Sequence, residues 1–284
     1  MLTKYHLLQV GALFLVCARG LSADKVYGTL PTGMLSLSEI SEVSAEICQR
    51  HVFDPAAVGN RLPQGYRLIP AEEYAKNDPI VADLLRRNPK YARFAIGSLC
   101  FLSVGAFTVD GVRVHPPGAT PMAFWWARAE GPRDSRMQGK ALWLQIASWY
   151  SRSLTERSKI VATDPTAQFT DIEVTQAEPD VWRVHLALAD EVIDGKIRCS
   201  GEPTKRRESG PGYMSVPFTG EGAGYFWTMT YFGHHHQEAR GEWQIQGTGV
   251  LSAAFKIQSE AGKFDTEFQN RWSALSGLYK FEPK

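Results

Sequence analysis

The sequence predicts a mainly β protein (α+β), an antiparallel β-barrel or strongly curved sheet with N-terminal helices and one C-terminal helix packed on it. From Phe94 onward the apolar residues recur with a period near 2, which is typical of strands. Two Asp-Gly dipeptides, Asp110-Gly111 and Asp194-Gly195, separate alternating segments and predict hairpins with type I′ turns. Helical spacing occurs before Phe94 and again over residues 264–276. Together these features favour a sheet flanked by helices over alternating βαβ units.

The first residues predict a secretory signal peptide. Lys4 is followed by an apolar run over residues 7–16 and by small residues up to Ala23. That run is too short to span a bilayer, and no later stretch approaches the roughly 20 apolar residues that a membrane helix needs. We therefore expect an exported protein, periplasmic or secreted, without a transmembrane segment in its mature form.

Three regions follow from these patterns. Residues 1–23 are the signal peptide, and residues 24–92 form an N-terminal helical region that leads into the sheet. Residues 93–284 form an antiparallel β domain with the C-terminal helix. About 260 residues after cleavage are enough for one β domain with a sizeable core.

Three segments predict helices. Residues 36–52 and 71–87 place apolar side chains on roughly one face. Within the second segment, Asp78 is expected to cap a new turn that begins with Pro79. Residues 264–276 return to the same spacing near the end of the chain.

Two of the predicted strands, residues 121–129 and 141–149, leave neither face polar. Such strands are expected to be covered on both sides. The other predicted strands are residues 96–109 with 112–115, 168–176, 181–193 with 196–200, 213–218, 225–232 and 243–257.

Charge and cysteine content narrow the function. The net charge of +1 argues against nucleic acid as a partner. Outside the signal peptide the chain has Cys48, Cys100 and Cys199, whose spacing fits no zinc motif. In an oxidising compartment they allow at most one internal disulfide and leave one thiol over.

A histidine cluster is the sharpest candidate for a metal site. Residues 233–238 follow the aromatic strand predicted at residues 225–232, and if that strand continues, His234, His236 and Glu238 project to one side. Two imidazoles and a carboxylate suit a divalent transition metal such as Zn²⁺. Alternatively, the triplet is a strand end whose imidazoles are exposed or bonded to neighbouring carbonyls.

The chain has eight tryptophans, and most fall in or beside predicted strands. Large rings with polar edges can line a pocket for a small apolar or aromatic ligand, although an ordinary thick β core would use the same residues. Arg183 and His185 share one face of their strand and could line the same cavity or meet water. The candidate ligand-binding residues are therefore Trp125, Trp143, Arg183, His185 and Trp227.

Two lysines suggest an enzyme as the alternative. A lysine buried in an apolar barrel can form a Schiff base, which is the chemistry of acetoacetate-decarboxylase-like barrels. Lys140 and Lys256 are the candidates, and for both a solvated position is the competing interpretation.

Three functions remain open. The first is an exported barrel that binds an apolar or aromatic small molecule. The second is an enzyme that uses the same cavity with a metal or a lysine, although no Gly-x-Ser-x-Gly, phosphate-loop or His-Glu-x-x-His motif assigns a catalytic residue. The third is a structural or partner-binding protein of the cell envelope.

Overall fold

The computed structural model describes residues 34–62, 65–131, 141–205, 212–216, 225–233, 235–261 and 266–280. The predicted signal peptide lies outside these residues. No helix in the described part of the chain is long and apolar enough to cross a membrane.

Strands dominate the described residues, and short helices connect them. The strands are β1 (Met34–Phe53), β2 (Arg67–Leu68), β3 (Ala95–Val109), β4 (Val112–Arg113), β5 (Thr120–Glu130), β6 (Ala141–Ser151), β7 (Ala167–Glu178), β8 (Val181–Ala187), β9 (Glu191–Lys205), β10 (Gly212–Val216), β11 (Tyr225–Phe232), β12 (His235–Gly247), β13 (Thr266–Asn270) and β14 (Trp272–Lys280). The α-helices are α1 (Ala71–Tyr74), α2 (Pro79–Arg87), α3 (Arg157–Thr163) and α4 (Val250–Ala261), with 3₁₀ turns at Pro55–Arg61 and Pro89–Tyr91.

Nine of these strands close into a barrel, which confirms the predicted fold class. The ring runs β1-β13-β12-β9-β8-β7-β6-β5-β3 and closes where β3 pairs with β1. Its pairings are antiparallel except that between β6 and β7, which α3 connects in parallel. Closure leaves no free edge within the ring, and the interior is filled by side chains such as Ile47, Trp125 and Leu186.

A second ring of seven strands shares a wall with the barrel. Strands β10, β11 and β14 join β1 to β6, so that β1, β3, β5 and β6 belong to both rings. On β5, Trp125 packs in the nine-stranded core, whereas Phe124 belongs to a separate cluster on the opposite face. The prediction that residues 121–129 and 141–149 are covered on both sides is therefore confirmed, because they form part of this shared wall.

Two local predictions are confirmed in detail. The Asp78 carboxylate accepts hydrogen bonds from the backbone N–H groups of Ile80 and Val81, and Pro79 is the first residue of α2. Asp110 and Gly111 both have positive φ, 51° and 75°, between β3 and β4. This matches the type I′ turn that the dipeptide predicted.

The helix predicted over residues 36–52 is wrong, because this segment is the long strand β1. Its apolar residues fit a helical stripe by spacing alone, but β1 pairs with β3 on one edge and with β13 and β14 on the other. Burial on both faces makes more of its residues apolar than a half-exposed strand would allow. Tertiary pairing therefore overrides the helical spacing.

The hairpin predicted at Asp194-Gly195 is also wrong. Both residues lie inside β9, and the turn between β8 and β9 is at residues 188–190. Gly195 is required for packing, because a Cβ atom there would stand 2.7 Å from ring atoms of Trp243 and from a methyl of Val184. The glycine makes room for an indole instead of a turn.

The C-terminal elements are shifted from their predicted positions. The strand predicted over residues 243–257 ends at Gly247, where φ is 112°, and α4 follows. Buried Glu191 fixes this change, since its carboxylate accepts from the N–H groups of Leu251 and Ser252 at the start of the helix. The helix predicted over residues 264–276 is wrong, because β13 and β14 occupy it.

Candidate functional site

The candidate site is a cavity of about 240 Å³ on the shared wall, on the side that faces away from the nine-stranded core. Strands β1, β3, β5, β6 and β13 supply its lining, and α1 contributes one residue, Tyr74. Alternation along each strand decides which side chains reach it. The lining residues are Glu46, Cys48, Arg50, Tyr74, Ser98, Cys100, Trp126, Trp143, Glu267 and Gln269.

One wall of the cavity is aromatic. Trp126 and Trp143 come from neighbouring strands, and Tyr74 comes from α1. The guanidinium of Arg128 lies between two of these rings, with its Cζ 4.3 Å from the Trp143 centroid and 5.3 Å from the Tyr74 centroid. These cation–π contacts fix the orientation of the rings.

A second part of the lining is charged. Arg50 donates from Nη1 to Asp78 at 2.8 Å, and its Nη2 lies 3.2 Å from a Glu267 carboxylate oxygen. Glu46 and Gln269 extend this wall on paired positions of β1 and β13. Because Asp78 also caps α2, its ion pair with Arg50 ties α2 to the cavity.

A disulfide forms part of the lining. Cys48 and Cys100 are directly opposite on β1 and β3 and are bonded to each other. A carboxylate oxygen of Glu46 lies 3.7 Å from the Cys48 sulfur, and the Ser98 hydroxyl lies 3.5 Å from the Cys100 sulfur. The remaining described thiol, Cys199, is buried and free. The sequence limit of one disulfide and one leftover thiol is confirmed.

Arg183 and His185 lie elsewhere, in an open polar cleft of about 550 Å³ formed by β7, β8, β9 and β12. His185 Nδ1 is 2.8 Å from a carboxylate oxygen of Asp194, the residue opposite it on β9. The cleft also contains Glu173 and Lys196, so its lining carries both acidic and basic side chains. The structure therefore separates these two residues from Trp143.

Trp125 lies in the core of the nine-stranded barrel and is fully buried. Its indole Nε1 donates to Nε2 of His51 at 3.1 Å, and its ring packs edge-on against Phe53. His51 is itself fully buried, and burial lowers its pKa to about 4. Trp125 lines neither cavity described above, and the Trp227 side chain lies outside what the structure describes.

The histidine cluster does not continue the aromatic strand. β11 ends at Phe232, and β12 begins at His235 with a different partner strand. Nδ1 of His235 lies 2.7 Å from the Gly233 carbonyl oxygen, and the β12 to β9 register is irregular between His236 and Glu238. His234 lies outside the described residues, so the predicted metal site stays a prediction.

Of the two candidate lysines, only Lys256 lies among the described residues, and it is solvated. Lys256 lies on α4 and is exposed, which agrees with the solvated interpretation, although the element is a helix and not the predicted strand. Lys140 lies outside the described residues. None of the lysines whose side chains the structure describes is buried.

Of the ten lining residues, the sequence predicted only Trp143 as ligand-binding. A signal was present, because Glu46, Arg50 and Ser98 interrupt strands that are otherwise apolar. Polar and charged residues that lie on one face of a buried strand indicate a cavity on that face. The misassignment of β1 as a helix concealed this pattern.

No protein-family model and no curated protein matches the chain. Among solved structures, the chain is similar to the enduracididine biosynthesis enzyme MppR complexed with pyruvate, at 10% identity and a TM-score of 0.47, over 90% of this chain and 92% of that one. It is also similar to the acetoacetate decarboxylase of Legionella pneumophila, at 10% identity and a TM-score of 0.48, over 88% and 87% of the two chains. A further acetoacetate decarboxylase structure gives 6% identity and a TM-score of 0.49, over 92% and 93%. At these identities the similarity concerns the fold alone.

Proposed function

We propose that the protein binds a small aromatic molecule that carries a cationic or hydrogen-bond-donating group. The observation that supports this is that one cavity is lined by both aromatic rings and carboxylates. Trp126 and Trp143 contribute aromatic rings, and Glu46 contributes a carboxylate in addition to the Arg50–Glu267 ion pair. Aromatic faces favour flat or cationic groups, and carboxylates accept hydrogen bonds or pair with a positive charge.

The charges of the lining favour this ligand over an anion. Among the described residues of the lining, Arg50 is the one cation, and it already forms ion pairs with Asp78 and Glu267. Glu46 adds a further negative charge beside the cystine. An anionic ligand would therefore meet a negative wall, whereas an amine or amide would meet a complementary one.

Size restricts the ligand further. A drug-sized molecule occupies a pocket of about 300–1,000 Å³. The cavity of about 240 Å³ is below that range. We therefore expect a ligand with a single ring or two fused rings.

Binding is tested by calorimetry and by quenching of tryptophan emission with a panel of aromatic amines, amides and acids. We expect saturable binding of an amine or amide, weakened about tenfold by Trp126→Ala through lost ring contacts. Glu46→Gln weakens the amines selectively because it removes the charge. His185→Gln, in the other cleft, is the matched control and leaves the affinity unchanged. Equal affinity in all three variants, or binding of acids alone, contradicts the proposal.

We also propose that the protein is exported. The Cys48–Cys100 disulfide supports this localisation, because such bonds persist in oxidising compartments and are rare in the cytosol. A periplasmic or secreted protein would acquire the bond on arrival. Fractionation of cells that produce the full chain tests this, with a variant lacking residues 2–23 as the control.

The second candidate function is an enzyme with Lys140 as its Schiff-base lysine. Lys140 directly precedes β6, the strand that contributes Trp143 to the cavity. On this hypothesis, borohydride in the presence of pyruvate or acetoacetate traps a covalent adduct, detected by mass spectrometry, which Lys140→Ala abolishes. Lys256→Ala is the matched control, because that lysine is exposed on α4. The absence of an adduct in the parent protein rejects this candidate.

A further inference from the structure

We infer that Glu46, Cys48 and Cys100 form a redox-controlled site for a thiophilic cation such as Zn²⁺, which binds only after the disulfide is reduced. The potential ligand atoms of these three residues all lie within 4.8 Å of one another. Among the described residues, no other group of three or more His, Cys, Asp or Glu side chains brings its ligand atoms this close together. The inference goes beyond the proposed small-molecule binding and does not depend on it.

Strand register brings the three ligands together. Cys48 and Cys100 occupy opposite positions of β1 and β3, so their side chains project from the same face at the same height. Glu46 lies two residues before Cys48 on β1 and shares that face. The ligand geometry is thus held by a sheet and not by a loop.

The ligand chemistry selects the cation. Thiolates favour Zn²⁺, Cd²⁺ and Cu⁺ over Mg²⁺ or Ca²⁺. Tetrahedral Zn²⁺ with Zn–S bonds of about 2.3 Å places two sulfurs about 3.8 Å apart. Opposite cysteines can reach that separation once the S–S bond is broken, and the Glu46 carboxylate supplies a third ligand. Because all three residues line the cavity, water or a small molecule can supply the fourth ligand.

The redox step is a thiol–disulfide exchange. A dithiol reductant donates two electrons and two protons to the Cys48–Cys100 bond and becomes a disulfide itself. The two thiols then lose their protons when the cation binds, so binding releases protons to solvent. Because both cysteines line the cavity, a small dithiol has a route to the bond.

The barrel is expected to persist in the reduced form. β1 and β3 pair from Ser38 opposite Val109 to Phe53 opposite Ala95, and this ladder extends beyond the disulfide on both sides. Cys199 is not part of the site, because it is buried in the nine-stranded core. Burial raises its pKa to about 11, which keeps it as a thiol at neutral pH.

The test is a Cd²⁺ titration of the full chain, followed by thiolate-to-metal charge-transfer absorption, with Zn²⁺ as competitor. Every sample carries His234→Ala and His236→Ala, so that the histidine cluster does not contribute, and no organic ligand is added. The protein is reduced with a dithiol, freed of it without air, and compared with the oxidised form. Circular dichroism records whether each sample is folded.

We expect one equivalent of Cd²⁺ in the reduced protein and none in the oxidised protein. Cys48→Ser abolishes binding, and Glu46→Gln weakens it by at least about tenfold. Cys199→Ser is the matched control and leaves binding unchanged. The inference is overturned if the reduced protein binds no Cd²⁺, if it unfolds on reduction, or if Cys199→Ser removes the signal. Since no organic ligand is present, each of these outcomes leaves the proposed function untouched.

Discussion

Replacing Trp125 with alanine is expected to lower the free energy of unfolding by about 3–5 kcal/mol, the usual cost of truncating a large ring in a well-packed core. Trp125 is fully buried and packs edge-on against Phe53, with 5.4 Å between the ring centroids. Truncation would leave a cavity and would also remove the hydrogen bond to His51. Denaturant titration measures this loss.

Trp126, the next residue on β5, is the matched control. Trp125→Phe keeps a ring but leaves the buried Nε2 of His51 without its donor, at a cost of about 1–3 kcal/mol. Trp126→Phe alters a partly exposed ring in the cavity and should cost no more than about 1 kcal/mol. We further expect ligand affinity to fall for the Trp126 variant alone. Weaker ligand binding by a folded Trp125→Phe protein would contradict the assignment of Trp125 to the core.

Acid is expected to destabilise the barrel through His51. Nδ1 of His51 lies 3.2 Å from the carbonyl oxygen of Gln49, and Nε2 accepts from Trp125. A neutral imidazole with its proton on Nδ1 satisfies both contacts, whereas a second proton on Nε2 would face the indole N–H. Burial lowers the pKa of His51 from 6.5 to about 4.

The lowered pKa of His51 determines whether acid stabilises or destabilises the folded protein. Because the folded protein binds this proton more weakly than the unfolded chain does, the stabilisation is fully present above pH 6.5. It is lost as the pH falls through the window between 6.5 and about 4. The total loss is about 3 kcal/mol. Denaturant titrations at several pH values measure it.

Two variants distinguish the effect of His51 on acid stability from that of carboxylates that titrate in the same pH window. His51→Gln should show a shallower acid loss than the parent protein, by about the same 3 kcal/mol. His185→Gln removes a partly exposed histidine and should retain the full loss. Identical pH profiles for the parent and for His51→Gln would show that His51 does not control the acid limb.

Local chemistry explains the elements that the sequence predicted well. Asp78 followed by Pro79 starts α2, and Asp110-Gly111 forms a turn with two positive φ angles. In both cases the decisive hydrogen bonds or dihedral angles lie within a few residues. The second Asp-Gly pair failed because Gly195 meets the Trp243 ring from another strand. The glycine of the first pair is needed for a turn, whereas the glycine of the second pair is needed to make room for the Trp243 ring.

In the candidate site, too, the sequence predicted some features, and only contacts between distant strands decided the others. The excess of tryptophan indicated an aromatic pocket, and Trp143 does line the cavity. Sequence could not assign Trp125 and Trp126 to opposite faces of β5, because both faces of that strand are apolar. Only the pairing of β1 with β3 places Cys48 opposite Cys100 and beside Glu46.

The sequence by itself determined the fold class, the two-sided burial of residues 121–129 and 141–149, and the limit of one disulfide. These properties depend on composition and on short-range periodicity. The tertiary structure decided that residues 36–52 form a strand, that nine strands close into a barrel, and that the cavity lies on the shared wall. The physical reason is that β-pairing joins residues far apart in the chain, so its free energy depends on partners that no local pattern specifies.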